Sequence, residues 1–328
     1  MKPETFNFNQ FSIAAVIPAY RVENEIEAVL KSLPAFLRYI IVVDDCSPDG
    51  TYDRVKQSAQ TDERILLLRH EHNQGVGGAM VIGFRKALEL GAQIVVKVDG
   101  DGQMDPEFIP SLIAPLIRAE ADYAKGNRFR DFDALRHMPL IRRVGNLGLS
   151  FLAKAATGYW NCFDPTNGFI AIRAEVLAQL PLEKIDQTYF FETSMLAHLY
   201  LLRAYVLDIP MPARYGREIS SLSIHRALFE FPPKLLATFF RRIVLKNFLY
   251  DFSIMSIYLL FGVPLLLFGL IFGSIKWIDY AERSVPAPTG TVMLPALSVI
   301  LAIQILLSAI EIDLQSIPKT PLSKPLSE

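Results

Sequence analysis

Residues 12–125 alternate between short apolar runs and longer stretches with a helical spacing of apolar positions. The runs at 14–18, 40–43, 65–68 and 94–98 are almost wholly aliphatic, as expected of strands buried on both faces of a parallel sheet. Helix-like stretches lie between them near 23–36, 51–60 and 76–90. The order βαβαβαβ predicts right-handed crossovers and a doubly wound α/β sheet. Ligands of such sheets sit beyond the carboxyl ends of the strands, so the residues after each run are the candidates for chemistry.

The pattern changes in the last third. Residues 252–275 and 284–310 carry no charge, and a helix of about 20 apolar residues spans a bilayer core. Just before them, Leu235/Leu236, Phe239/Phe240, Ile243/Val244 and Phe248 recur every four residues, with Lys234, Arg241, Arg242 and Lys246 between. This predicts an amphipathic helix suited to the headgroup layer, or else one packed on the soluble domain. Pro232 and Pro233 should separate it from a helix around 223–229. The divisions read from the chain are an α/β domain over 1–222, juxtamembrane helices over 223–251, spans over 252–275 and 291–312, a loop over 276–290 and a tail over 313–328. The proline-bearing tail from Gln315 reads as disordered.

Composition supports a membrane protein. Of 328 residues 51% are hydrophobic and 20% charged, against about 25% charged in soluble domains. A net charge of −1 argues against a general polyanion binder, and no nucleic acid is expected as partner. Two cysteines cannot form a disulfide framework, and the polar N-terminus reads as lacking a signal peptide. Between Arg214 and Tyr250 there are seven Lys/Arg against two Glu. The positive-inside rule then places residues 1–250 and the tail in the cytoplasm, with two spans between.

After the fourth run comes Asp99-Gly100-Asp101-Gly102-Gln103. Two carboxylates and an amide oxygen form a partial shell for a hard divalent cation, Mg²⁺ or Mn²⁺, leaving positions for phosphate and water. Such a cation can neutralise a departing diphosphate. With 17 Asp in the chain, chance supplies about one Asp-x-Asp, so the strand end and flanking glycines carry the assignment. Asp131-Phe132-Asp133 follows no strand and reads as a solvated loop. Arg128, Arg130, Arg142, Arg143, Arg214 and Arg217 are the anion handles. The glycines at 75, 77 and 78 read as points of close backbone approach to a ligand.

The segments IPAYRVENEI, VVDDCSPDGT, RHEHNQGVGGAM, VKVDGDGQMDP, KGNRF and DPTNGFIAI resemble, in order, the motifs of family 2 glycosyltransferases, in particular those acting on polyprenyl phosphates. Cys46 stands where that family usually has glycine. The resemblance covers about residues 12–220. It implies a GT-A (Rossmann-like) α/β domain followed by amphipathic juxtamembrane helices and two transmembrane helices. It also implies a UDP-sugar donor, a polyprenyl phosphate acceptor and glucose as the sugar, with N-acetylglucosamine, galactose, mannose from GDP-mannose and aminoarabinose as the alternatives. The aromatic juxtamembrane face leaves a homo-oligomer open beside lipid contact. By position, Pro18, Ala19, Tyr20, Glu23, Asp45, Asp99 and Gly100 would contact the nucleotide. Asp99, Asp101 and Gln103 would hold the metal. Arg128, Arg142, Arg143, Asn146 and Arg217 would hold the acceptor phosphate. Asp164 and Glu192 would position sugar or acceptor, with Asp164 as a base the alternative.

Two rival activities and one rival site fit less well. Processive synthases carry Gln-x-x-Arg-Trp, which neither Trp160 nor Trp277 matches. A non-catalytic scaffold would have no reason to keep Asp99, Asp101 and Gln103. A zinc site at His70-x-His72 has too few ligands.

Overall fold

The computed structural model describes residues 7–127, 140–165, 167–211 and 230–326; within 140–147 the backbone alone is described. The chain divides into two compact units, Met1–Phe239 with Pro318–Glu328, and Phe240–Ile317.

The first unit is built on a seven-stranded mixed sheet in the order β3-β2-β1-β4-β6-β5-β7. Its strands are β1 (Ile13–Ala19), β2 (Tyr39–Asp44), β3 (Ile65–Arg69), β4 (Ile94–Lys97), β5 (Tyr123–Asn127), β6 (Ile170–Arg173) and β7 (Val206–Pro210). The helices α1 (Ile26–Ser32), α2 (Thr51–Ala59) and α3 (Gly75–Glu89) alternate with β1–β4, which pair in parallel. The expected βαβ run is therefore present. Beyond it the sheet departs from a purely parallel one. The short run IAIR forms β6, which inserts antiparallel between β4 and β5. A run of four residues is too short for periodicity to mark it.

Alternate residues of the central strands supply two cores. Ile13, Ala15, Ile17, Ile40, Val42, Ile94 and Val96 pack under α1 and α4 (Ile109–Ile117). On the other face Phe84 of α3 meets Phe191 at the start of α6 (Phe191–Leu201). These aliphatic side chains are fully buried, and each contributes about 1.5–3 kcal/mol of burial.

Helix α5 (Leu140–Thr157) follows β5 in the chain, and α7 (Phe231–Val244) opens with Pro232 and Pro233 in its first turn, where a missing N–H costs nothing. The segment 223–229 lies outside the described residues. The apolar positions of α7 divide into two stripes. Phe231, Leu235 and Phe239 pack on Ala153, Ala156 and Leu149 of α5 and on Phe190, while Lys234 pairs with Asp186 at 2.6 Å. Leu236, Phe240 and Val244, one position on, are exposed. The expectation of a helix packed on the domain holds for the first stripe.

The second unit is dominated by α8 (Ile254–Glu282) and α9 (Thr289–Gln315). At 1.5 Å per residue each exceeds a hydrocarbon core of about 30 Å. They run antiparallel. Gly262 lies against Ile305 and Leu306, Gly269 against Ser298 and Val299, and Gly273 against Pro295. Small residues let the backbones approach, as in membrane helix pairs. A capping box at Ser253 and Ser256 starts α8. Arg242, 1% exposed, forms a two-pronged ion pair with Asp313, both bonds 2.8 Å, and Lys246 joins it at 3.2 Å.

The tail is not disordered as its composition suggests. Leu322 N and Ser323 N donate to the fully buried carboxylate of Asp122, which also accepts from Tyr205 N. Leu326 N donates to Ile117 O, and the Leu326 side chain packs on the core. The acceptor that orders the tail belongs to β5's approach, some 200 residues away in sequence, and backbone donors leave no mark in composition.

Replacing Asp122 with Ala should strip three backbone N–H groups of their acceptor and cost about 1–3 kcal/mol. Tryptic cleavage at Lys319 should accelerate well before global unfolding; an unchanged digestion rate would contradict the docking. Asp313→Leu alone should cost about 3–5 kcal/mol in detergent unfolding, with Arg242→Met/Asp313→Leu recovering most of it, because only the single variant leaves a buried charge unpaired.

Candidate active site

The carboxyl ends of β1, β2 and β4 meet at one edge of the sheet. After β1, Pro18 and Ala19 lead to Tyr20, whose exposed ring lies 5.3 Å from the Arg21 guanidinium. Glu23 reaches across to accept from Gly50 N at 3.0 Å, and Val22 N donates to Thr51 Oγ1. The loops after β1 and β2 are thus fastened to each other. Cys46 has φ +56°, the left-handed region that glycine adopts freely. This is the physical reason for a glycine there, and it makes Cys46 a strained substitute.

Asp45 is buried and its carboxylate is fully engaged. Oδ1 meets His70 Nδ1 at 2.5 Å and Gln74 N at 2.8 Å, and Oδ2 accepts from Gly75 N at 2.8 Å. Asp45 caps α3 from outside the helix. The neighbouring glycines are also used internally. Gly77 N and Gly78 N donate to Gln187 O, and a Cβ on Gly77 would collide with the 186–187 backbone. The close approach these glycines allow is to the chain itself, which corrects the expectation of a ligand there. Beside them, Cys46, Arg69, His70 and Glu71 line an open pocket of about 440 Å³.

Asp99 lies two residues beyond the end of β4. Its Oδ1 lies 2.6 Å from Lys97 Nζ, which is itself 3.4 Å from Glu192 Oε1 on the first turn of α6. Lys97 is fully buried. Burial works to lower its pKa, but the Asp99 and Glu192 carboxylates outweigh that and hold it above the ordinary lysine value. Glu192 is raised, first by burial and further by Asp99, with Lys97 opposing. Gly168 closes this cluster: a Cβ there would collide with Lys97 Nζ and lie 3.1 Å from Glu192 Oε1 and 3.4 Å from Asp99 Oδ2.

Gly100 is buried against Val22, Ile26 and Pro18 O, so the turn after β4 is pressed onto the loop after β1. Asp101 Oδ1 accepts from Gln103 N at 3.0 Å, and Gln103 is exposed. Asp99, Asp101 and Gln103 share one turn whose donors are all oxygen. With Lys97 compensating charge from behind, this set fits a hard divalent cation.

The third contribution is the loop 158–168. Asp164 is fully buried, and its carbonyl accepts from Lys125 Nζ and Asn167 N. Asp208 of β7 anchors the same loop, accepting from Phe163 N at 2.8 Å. Cys162 beside it is pushed up to about 12 by burial, so it stays a thiol. Sequence reading did not single out Lys97, Lys125 or Asp208. Lys97 and Lys125 both pair in register with Ile170, and Lys125 with Asp208, so they share one level and one face of the sheet. The signal was available, since a lysine inside an otherwise aliphatic strand, IVVKV, must have a buried partner.

The structure therefore brings together Pro18, Ala19, Tyr20, Glu23, Asp45, Asp99, Gly100, Asp101 and Gln103 at one edge, with Glu192 behind Asp99. Arg128, Arg130, Arg214 and Arg217 lie outside the described residues, as do the side chains of Arg142, Arg143 and Asn146 on α5.

Comparison with known proteins agrees with this geometry. The profile described as "Glycosyl transferase family 2" matches residues 14–180. A UDP-N-acetylglucosamine–dolichyl-phosphate N-acetylglucosaminyltransferase of Methanococcus voltae is 38% identical over 181 residues, 51% of this chain and 72% of that one. An undecaprenyl-phosphate mannosyltransferase of Micrococcus luteus is 30% identical over 205 residues, 61% of this chain and 82% of the other. Among solved structures, glucosyl-3-phosphoglycerate synthase from Mycobacterium tuberculosis in complex with UDP superimposes with a TM-score of 0.55 at 22% identity, covering 74% of this chain and 86% of that one. It shares the fold. A match running from β1 past β6, across the Asp99 turn and the Gly168 loop, means that the chain belongs to glycosyl transferase family 2 and is a glycosyltransferase.

Proposed function

We propose that the protein transfers a hexose from a UDP-sugar to a polyprenyl phosphate at the cytoplasmic face of a membrane, with inversion at the sugar carbon. The observation that carries this reading is the Asp99–Asp101–Gln103 turn backed by the buried Lys97–Glu192 pair. A turn of oxygen donors held in place by a buried ion pair suits a divalent cation, and such a cation would offset the charge of a diphosphate leaving group. The acceptor is supported by the names of the relatives, and the membrane by the two long apolar helices.

In this reading the nucleotide lies along Tyr20, Glu23 and the Gly100 turn. Asp45 acts indirectly, holding the start of α3 and His70. Asp99, Asp101 and Gln103 hold Mg²⁺ or Mn²⁺, which when bound offsets the diphosphate charge. Arg128, Arg142, Arg143, Asn146 and Arg217 hold the acceptor phosphate. A phosphate oxygen forms a bond to the anomeric carbon as the bond from that carbon to the UDP oxygen breaks, and the electron pair leaves with UDP. One displacement inverts the centre. A phosphomonoester with a second pKa of about 6 is already ionised at neutral pH, so no base is required. Asp164 and Glu192 orient sugar and acceptor.

The sugar follows from two lines of support that differ. The motif resemblance favours glucose, and the 38% identical relative is named for N-acetylglucosamine. Purified protein should be assayed with polyprenyl phosphate against UDP-glucose, UDP-N-acetylglucosamine, UDP-galactose and GDP-mannose. One UDP-sugar should be turned over at least about tenfold faster than the rest, equivalent to ~1.4 kcal/mol in the barrier. Asp99→Asn and Asp101→Asn should lower that rate by 10²-fold or more, of the order seen on removing one transition-state stabiliser. Undiminished transfer by both variants, or in excess EDTA, would reject the metal assignment. Lys97→Met should lower activity about 10–100-fold and weaken apparent Mn²⁺ affinity, as loss of a partner behind a metal ligand does; an unchanged Mn²⁺ titration would deny Lys97 that role.

A further inference from the structure

The catalytic unit carries an apolar patch that the reaction does not use. Phe151 and Leu152, on the outward side of α5, are 59% and 46% exposed. Phe163, on the loop that leads into Asp164 and Gly168, is 59% exposed. Trp160 is half-buried and meets Phe151 edge-on at 5.6 Å, and Lys154 Nζ sits 4.4 Å from the centre of the Phe163 ring. One ring of the patch thus carries an ammonium over its face, and the other two rings pack on each other. The opposite side of α5 is filled by Phe231, Leu235 and Phe239 of α7, so α5 has apolar character on both sides.

A helix apolar on both sides within a water-soluble domain needs a second covering. The chemistry here selects the covering. Exposed aromatic rings with a lysine beside one of them match the headgroup layer of a bilayer, where rings occupy the apolar–polar boundary and the ammonium meets lipid phosphate. The position agrees. The patch continues along the chain into the loop carrying Asp164 and Gly168, where a lipid-borne phosphate must arrive if the proposed function holds. The packed helix α7 presents its own exposed Leu236 and continues into the unit with the apolar helices.

We infer that Phe151, Leu152, Trp160 and Phe163, with Lys154, form a second membrane-contact surface, on the catalytic unit itself, that dips into the phospholipid interface beside the active site. The inference rests on the proposed function for its purpose, but its physical test does not need turnover. Trp160 and Trp277 are the chain's two tryptophans. In full-length Trp277→Phe protein reconstituted into phosphatidylcholine/phosphatidylglycerol vesicles, Trp160 is the sole indole reporter. Its emission should be quenched more than twofold by lipid brominated near the headgroup, and less by lipid brominated at the chain end. Emission indifferent to brominated lipid but open to aqueous iodide would overturn the inference.

A kinetic arm uses Phe151→Ser/Leu152→Ser, two positions outside the reaction site. Its KM for a long-chain polyprenyl phosphate in vesicles should rise about tenfold, the scale of one lost buried apolar side chain. Its KM for a short, water-soluble prenyl phosphate should be unchanged. No change with the long acceptor, or an equal change with both, would overturn it. Failure of all sugar transfer with lipid quenching intact would instead fault the proposed function.

Discussion

A lysine ammonium with no access to water, held between Asp99 and Glu192, is the constraint around which the catalytic unit is arranged. An unpaired buried charge is too costly to exist, so the carboxylates must come to it. Asp99 is supplied by the end of the same strand. Glu192 is supplied by the first turn of α6, which fixes where that helix starts. Gly168 is required because a Cβ would occupy the ammonium's place. The antiparallel β6, which starts two residues after Gly168, is what carries that glycine past β4. One cation thereby positions a strand end, a helix start and a loop, and it leaves the outer edge of Asp99 for ligand.

The neighbouring nucleotide edge is made rigid by a different device. Helix α3 starts with backbone N–H groups that could bind an anion, but Asp45 and Gln187 O take them. Glu23 likewise accepts from Gly50 N. The loops after β1, β2 and β3 are therefore tied by protein acceptors before any substrate arrives. Such preorganisation reduces the ordering cost of binding. It leaves the Asp99 turn as the place where charge on a ligand is met.

Within each unit the chain uses a polar fastener of one kind, a buried anion satisfied by several donors. Asp313 takes Arg242 and Lys246, and Asp122 takes the backbone of Tyr205, Leu322 and Ser323. The first joins the end of α9 to the helix preceding α8. The second returns the chain's last residues to the catalytic unit, so that unit holds segments from both sides of the apolar pair. Arranged this way, residues 318–326 are held by the Asp122 carboxylate and by Leu326, through Ile117 O and the core.

The sequence by itself determined the parallel strands β1–β4, the helices between them and the two long apolar helices. It also placed the Asp99-Gly-Asp101-x-Gln103 turn at a strand end. These depend on local periodicity and on what immediately follows a strand, and both are written in neighbouring residues. Cys46 shows the same economy, because a glycine motif position proves to be a positive φ. Tertiary structure alone decided that β6 runs antiparallel, that Lys97 pairs with Glu192 95 positions away, and that the glycines of α3 face Gln187. It also decided which stripe of α7 is buried, and that a proline-rich tail is held by Asp122. In each case the deciding partner is distant along the chain, and a buried charge or backbone donor pairs with whichever complement the fold brings within reach.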